Sequence, residues 1–435
     1  MKDLQGSERS HENRSWRYSA APEGGNIEMS MVSLVKVKQD DEKGIAEAVR
    51  RAVDIVGGLD DIVKKDDLVL INPNLVAVPS GRVTGAITRW EVCKAIADLV
   101  LEKGGRPVIA ESSAAGVDTE KVIEAGEYTR LRELGYEVVD LKPTARAKIP
   151  VPEGHKVFSE LGSWELVRNA DVIISVPVMK THDQTEVTLS MKNLKGLIDD
   201  VTKKAFHRDG LLEGVVDLMM ALKPKLTVFD ATVCQEGMGP IFGTPVPMGL
   251  ILASRDYVAA DAVGGKIMGY DPKDVMITVR AAARGIGEMD LDKIEIKGDV
   301  SIADVERRFK RASETVIEGV PPFKLMFDEG ACTGCRNTVI SAIMDLKSQG
   351  LEGCLEGKYI VAGPLDEKLL PPCAEKDKTV LVGICAKHLE GRGTYVQGCP
   401  PNNIFIVRAI VGEGQKIERR YATEEGADDQ SGETK

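Results

Sequence analysis

The chain is poor in aromatic residues, which make up 4% of it. Its cores must therefore be filled by aliphatic side chains. It also lacks long apolar runs. The longest candidates, Ala170–Met179 and Pro245–Ala253, fall well short of the ~20 residues a membrane helix needs. Basic charge is not in excess, and the net charge is −11. That argues against a nucleic-acid partner, because phosphate contacts need clustered Lys and Arg. No basic amphipathic stretch points to a membrane surface. Residues 1–30 lack the apolar centre of a signal peptide. The reading is a cytoplasmic protein with neither membrane nor nucleic acid as partner. Its cysteines are then thiols or metal ligands rather than disulfides. There is no Gly-Lys-Ser/Thr P-loop, and Gly237-Met238-Gly239 lacks Rossmann spacing, so neither a P-loop ATPase nor a dinucleotide site is indicated.

What is present suits two or three globular domains: 435 residues, 43% apolar and 29% charged. Residues 1–30 and 416–435 read as disordered tails, with Met29 and Met31 as alternative starts. Between them, β-branched runs alternate with helical periods. Strands are predicted at Val32–Lys38, Asp67–Asn72, Arg106–Glu111, Tyr136–Leu141, Asp171–Val178, Lys225–Asp230 and Met248–Ser254. Helices are predicted at Gly44–Val56, Arg89–Lys103, Asp256–Met268 and Asp274–Ala283. This pattern implies an α/β fold, a mainly parallel sheet with helices on both faces. It breaks at Pro321-Pro322, which divides a large domain, 31–320, from a smaller α/β cysteine-rich domain, 321–415. The smaller domain is predicted to hold strands at Lys324–Asp328, Lys358–Ala362, Thr379–Gly383 and Thr394–Gln397, and helices at Arg336–Gln349 and Asn403–Val411.

Six of the eight cysteines fall in the last quarter. Four of them sit in short motifs: Cys332 and Cys335 in Ala-Cys-Thr-Gly-Cys, Cys385 in Gly-Ile-Cys-Ala, and Cys399 in Gly-Cys-Pro-Pro. Each follows a predicted strand, so a parallel sheet would carry all four thiols to one edge. Four thiolates at one edge suit a 4Fe-4S cluster. They also suit structural zinc, and any of them suits a core as a buried apolar residue. Cys354 and Cys373 stay unassigned, as a second centre or as substitutes for one of the four. Cys93 reads as core.

This set resembles the motifs around the cluster nearest the active site in nickel–iron hydrogenase small subunits and a related complex I subunit. The resemblance covers about 90 residues and implies a flavodoxin-like domain holding one 4Fe-4S cluster. No hydrogenase large subunit accompanies it here, so hydrogenase activity does not follow.

In the large domain, Lys180-Thr181-His182 follows the most apolar predicted strand. Ser190, Lys192, Asn193, Lys195 and Gly196 come soon after. Together they suit an anionic group, carboxylate or phosphate. Asp230 ends another strand and leads to Glu236. Asn74 follows a third. Lys180, His182 and Glu236 are the catalytic candidates, for proton transfer or metal. Lys192, Asn193, Asn74 and Asp230 are the ligand-binding candidates. As solvated loop charges and a satisfied histidine, these residues would do neither, and His207 reads as structural.

These segments resemble domain-of-unknown-function family 362. Its members show a Lys-Thr-His turn, a Met-Lys-Asn-x-x-Gly segment, a Glu-Gly-x-Gly-Pro loop and an Asp-x-Val-Ala-x-Asp helix, here Asp256 to Asp261. The match spans roughly residues 31–300. It implies a cytoplasmic prokaryotic protein associated with iron–sulfur chemistry, and names no reaction. The chain departs from many members in lacking the Cys-x-x-Cys-x-x-Cys-x-x-x-Cys-Pro run. The reading is an iron–sulfur redox protein that exchanges electrons with an anionic substrate, a cofactor or a partner protein. The rivals are a non-redox metal-assisted enzyme, racemase-like, and an assembly or electron-carrier protein without turnover. An oligomer is compatible with all three.

Overall fold

The computed structural model describes residues 29–81, 83–314, 317–371, 375–412 and 417. The two tails expected at 1–30 and 416–435 lie outside these residues, except for 29, 30 and 417. Cys373 also lies outside them.

Among the described residues sixteen strands form: Ser30–Lys36 (β1), Leu68–Pro73 (β2), Arg106–Glu111 (β3), Glu137–Asp140 (β4), Arg146–Pro150 (β5), Glu160–Trp164 (β6), Val172–Val176 (β7), Val178–His182 (β8), Glu186–Thr188 (β9), Leu226–Glu236 (β10), Thr244–Ser254 (β11), Ile294–Gly298 (β12), Lys324–Phe327 (β13), Tyr359–Ala362 (β14), Thr379–Val382 (β15) and Thr394–Val396 (β16). Ten belong to one sheet, in the order β12-β1-β11-β10-β7-β2-β3-β4, with β8 on β10 and β9 on β8. Most of its pairs are parallel. β11 runs antiparallel to both β1 and β10, and β9 antiparallel to β8. β5 and β6 form a separate antiparallel pair.

Both faces of the sheet are covered, as its apolar strands require. All five residues of β7 are buried. Along β2, Val69 and Ile71 enter the core under the helices Glu42–Ile55 and Trp90–Glu102, while Leu70 enters the core under the helix Leu211–Leu222. The helix Glu42–Ile55 starts where Asp41 accepts the Gly44 N–H, and it buries Ile45, Ala48, Val49, Ala52 and Val53. That spacing is one helical stripe. The helix Leu211–Leu222 has no such stripe. It is apolar nearly all round and packed on both sides, so periodicity does not announce it.

The four-stranded sheet has the order β13-β14-β15-β16, all parallel. Helices Thr333–Ser348 and Asn403–Val411 cover one face, and the 3-10 turn Ile384–Arg392 packs on the other.

Two local predictions are corrected. Asp230 does not end its strand, because β10 pairs with β11 on through it as far as Glu236. Asp171–Val178 is not a single strand, and Lys180-Thr181-His182 is not its trailing loop. Pro177 has no N–H to give a ladder, and the chain shifts there from β7 to β8. The Pro177 carbonyl accepts the Asp230 N–H at 2.9 Å, and β8 then pairs with β10. The site triplet is therefore strand, held on both sides. The pair β5/β6, β12 and the helices Asp200–Asp209 and Leu211–Leu222 are further elements that the sequence pattern had not indicated.

One glycine fixes the packing beneath the site. A methyl group on Gly196 would stand 1.8 Å from Glu111 Oε2. Asn72 donates to that same oxygen, so the carboxyl has little room to yield. Gly196→Ala is expected to lower stability by about 1–3 kcal/mol in urea unfolding. An unchanged midpoint would mean that Glu111 swings aside freely.

Candidate functional site

The ends of β2, β3, β8 and β10 meet in a buried polar layer. Lys180 lies 0% exposed, and Asn74, Asn193, Asp230, His182 and Glu111 are also buried. Lys180 Nζ donates to Asn74 Oδ1 at 2.8 Å, to the Pro240 carbonyl at 3.1 Å and to the Ala86 carbonyl. Three acceptors thereby surround the amine, and burial pushes it well below the usual lysine range. Asn193 Nδ2 donates to the Asn72 carbonyl at 2.9 Å, and its Oδ1 accepts from Asn74 at 3.0 Å. Asp230 accepts from the Arg89 N–H at 2.8 Å and from Thr232 Oγ1 at 2.7 Å. Glu236 Oε2 accepts the Lys310 N–H at 2.9 Å.

The structure thus divides the sequence-stated candidates. Lys180, Asn74, Asn193 and Asp230 have their hydrogen-bonding capacity engaged by neighbouring strands and loops. As they stand they hold the layer together and offer a ligand little. None of them is a solvated loop charge. Glu236 ends β10 beside Lys310.

His182 and Lys192 differ. His182 Nδ1 lies 2.9 Å from both Asp183 Oδ1 and the Gln184 N–H. Its Nε2 makes no hydrogen bond among the described residues. Burial, then the neighbouring Lys192 charge, pushes the ring down to about 4, so it is neutral at pH 7. Lys192 is half-buried, with no acceptor for its amine among the described residues, and burial pushes it down to about 8.

Glu111, Lys203 and Glu186 carried no sequence signal, whereas Lys195 was already part of the set read as suiting an anion. Glu111 ends β3 beside Lys203, and burial pushes it up to about 8. Lys203 is spent on Ser112 Oγ at 2.7 Å and the Ser113 carbonyl at 2.6 Å. Glu186 is buried opposite His182 in the β8/β9 ladder, at φ 60. Its Oε2 has no hydrogen-bond partner, and burial, then nearby Cys332, pushes it up to about 8. Lys195, half-buried, has its Nζ 3.4 Å from His207 Nε2. Glu111, Lys203 and Glu186 could not be found by spacing, because each acquires its meaning from a neighbour distant in the chain.

The cysteines occupy the carboxyl edge of the small sheet. Cys332 is the residue before the helix Thr333–Ser348, and Cys335 lies in its first turn. Cys385 follows β15 and Cys399 follows β16. Gly383, at φ 88, has its would-be Cβ 2.9 Å from Cys335 Sγ, so a side chain there would collide with the thiol. The Cys332 thiol is pushed down to about 6, first by a hydrogen bond with the Cys335 thiol and then, against desolvation, by N–H groups at the helix start. Cys385, Cys399 and Cys332 all act electrostatically on Cys335 and raise it. Among the described residues, no group of three or more His, Cys, Asp or Glu is gathered as a ligand set for one ion. Cys93 is buried against Tyr128, and Cys234 is buried in β10, both as core. Cys354 packs at the edge of the small domain's core.

The two sheets meet at this edge. The Cys399 N–H donates to the His207 carbonyl at 3.3 Å, and the Leu211 N–H donates to the Cys399 carbonyl at 3.0 Å. Ser341 donates to Asp183 Oδ2 at 2.8 Å, and Gln184 Nε2 donates to the Pro401 carbonyl at 3.4 Å.

Residues 69–266 match the model of a family described as Domain of unknown function (DUF362). A thylakoid-associated protein of Synechocystis sp. is 31% identical over 252 residues, which is 56% of this chain and 76% of that protein. The chain belongs to the DUF362 family. The matched DUF362 region contains Lys180, His182, Lys192, Asn193, Asp230 and Glu236, and excludes Cys332, Cys335, Cys385 and Cys399. The apoprotein of lactate racemase from Thermoanaerobacterium thermosaccharolyticum is a structural neighbour at TM-score 0.36 and 15% identity, over 77% of this chain and 69% of that one. At that level the likeness supports no inference. No helix among the described residues is long and apolar enough to cross a membrane.

Lys180 and Lys192 are therefore expected to respond in opposite ways to removal of charge. Lys180→Met leaves three buried acceptors unpaired, and each such loss costs about 1–3 kcal/mol. Lys192→Met removes an amine that burial disfavours. A lysine whose folded pKa lies below its unfolded value binds fewer protons when folded, so its penalty is full below about pH 8. The penalty fades as pH rises toward the unfolded value. Lys192→Met should thus match or exceed the native chain at pH 7, by roughly 1 kcal/mol given its residual solvent access, and lose that margin near pH 10. Urea unfolding of both variants at the two pH values checks this. Equal destabilisation at pH 7 would refute the division.

Proposed function

We propose that the protein is a cytoplasmic iron–sulfur redox protein. Cys332, Cys335, Cys385 and Cys399 would hold one 4Fe-4S cluster, and the large domain would bind an anionic substrate, cofactor or redox partner beside it. The observation that carries this reading is the seam. It places the four-cysteine edge of one sheet directly on the strand and helix that present His182 and His207.

The fit of the residues supports the cluster. The donor set is four thiols and no carboxylate, the set that iron–sulfur clusters take. They come from the helix start and two strand ends of one edge, with Gly383 leaving Cys335 uncovered. The helix start beside Cys332 and Cys335 favours thiolate charge. The likeness to the hydrogenase small-subunit motifs points the same way. When bound, a cluster supplies one-electron chemistry. The chain's own part is to hold it at the seam and to keep a neutral imidazole, His182, next to an amine, Lys192.

Anaerobically purified protein is expected to carry about four irons and four sulfides per chain, with a signal that dithionite changes. The double variant Cys385→Ser/Cys399→Ser is expected to lose both elements. Iron retained by that variant would sink the assignment. Stoichiometric zinc without iron in the native chain would make the small domain a structural metal site.

A further inference from the structure

Away from the seam, at the amino end of β10, lies a cavity of about 490 Å³. That is the size of a small-molecule site. Its walls come from separate segments, and hydrogen bonds fix them. The Arg255 guanidinium donates to Asp61 Oδ2 at 2.7 Å and to the Gly57 carbonyl at 3.0 Å, which holds the loop that carries Ile62. Arg284 donates to the Gly154 carbonyl at 2.8 Å and to Met220 Sδ at 2.8 Å, which holds the turn at Pro152 and Glu153 against the end of the helix Leu211–Leu222. The Lys225 N–H donates to the Ile173 carbonyl at 2.9 Å, so β7 holds the chain where β10 begins.

The lining has two halves. Ile62, Met220, Pro224 and Ile286 supply an apolar surface. Lys223, Lys225, Arg255 and Tyr257 supply donors, and Glu153 is the carboxylate of the lining. Arg255 is neutralised by Asp61. Two lysines against one glutamate then leave positive charge in excess. The Lys225 amine and the Tyr257 hydroxyl make no hydrogen bond among the described residues. Burial, then Asp256, pushes Tyr257 up to about 12, so its hydroxyl is a proton donor at pH 7. A small inorganic anion would leave the apolar half unused. An uncharged molecule would leave the lysine without a counter-charge. An organic monoanion uses both halves.

We propose that this cavity is a further ligand site, one that takes a monocarboxylate with an apolar or aromatic body. The carboxylate meets Lys225 and Tyr257, and the body lies on Met220, Pro224 and Ile286. The site does not rest on the iron–sulfur reading. The helix Leu211–Leu222 runs between the two regions. Its first N–H donates to the Cys399 carbonyl at the seam, and its last turn brings Met220 to the cavity, 12 residues or ~18 Å along.

The test is isothermal titration of the full chain, purified anaerobically, with 1-naphthoate, with its uncharged isostere 1-naphthamide and with acetate. One saturable site is expected for 1-naphthoate, with each comparator at least about tenfold weaker. Lys225→Gln is expected to weaken 1-naphthoate by about tenfold, and Tyr257→Phe by about threefold or more. Met220→Trp, which fills the cavity, should abolish binding. Lys43→Gln, an exposed lysine on the helix Glu42–Ile55, should change nothing. No saturable binding of 1-naphthoate by the native chain overturns the proposal. So does equal affinity for either comparator, and so does undiminished binding in Lys225→Gln. Lys225 is exposed, so its variant is expected to keep the native melting transition. If Met220→Trp does not fold, Lys225→Gln and the comparators decide alone.

Discussion

The pair of backbone hydrogen bonds that Cys399 exchanges with His207 and Leu211 is the join on which the rest depends. It connects the loop after the last strand of the small sheet to the end of one helix and the start of the next in the large domain. Backbone groups make it, so it constrains the chain path and not one side chain. Gly398 permits the approach, since a Cβ there would stand 2.6 Å from the His207 carbonyl. Without this join the cysteines and the lysines would belong to two unrelated edges.

Around the join, the buried polar layer works by saturation. Lys180 ties the chain after β2 and the loop after β10 to β8, and Asn193 ties β2 to the segment that carries Lys192. A buried amine whose hydrogen bonds are all engaged is rigid, because each alternative position leaves an acceptor bare. That rigidity sets the stage for the residues that are not saturated. Lys192 has no acceptor among the described residues, and His207 Nδ1 is buried without a partner. Function is best sought where the hydrogen-bond accounting does not close.

Much of the architecture was legible beforehand. The strands β3 and β15, the helix Asn403–Val411 and the parallel order of the small sheet follow from short apolar runs between turn residues. The cysteine edge was legible too, because strand ends in a parallel sheet collect on one side. The assignment of roles was not. Lys180 read as a free cation on a loop, and Pro177 instead starts a second strand that buries it. Glu111, Lys203 and His207 carried no local pattern at all.

The sequence alone determined the α/β class, the aliphatic cores and the placing of four cysteines after strands. Those depend on periodicity and on residues near one another in the chain. Only the tertiary structure decided which lysines are spent and which are open. It also decided that His207 and Cys399 touch, and that the cysteine edge faces Asp183 and Gln184. These depend on contacts between segments up to about two hundred residues apart. Burial and pairing there change what a charged group does, and no local pattern encodes them.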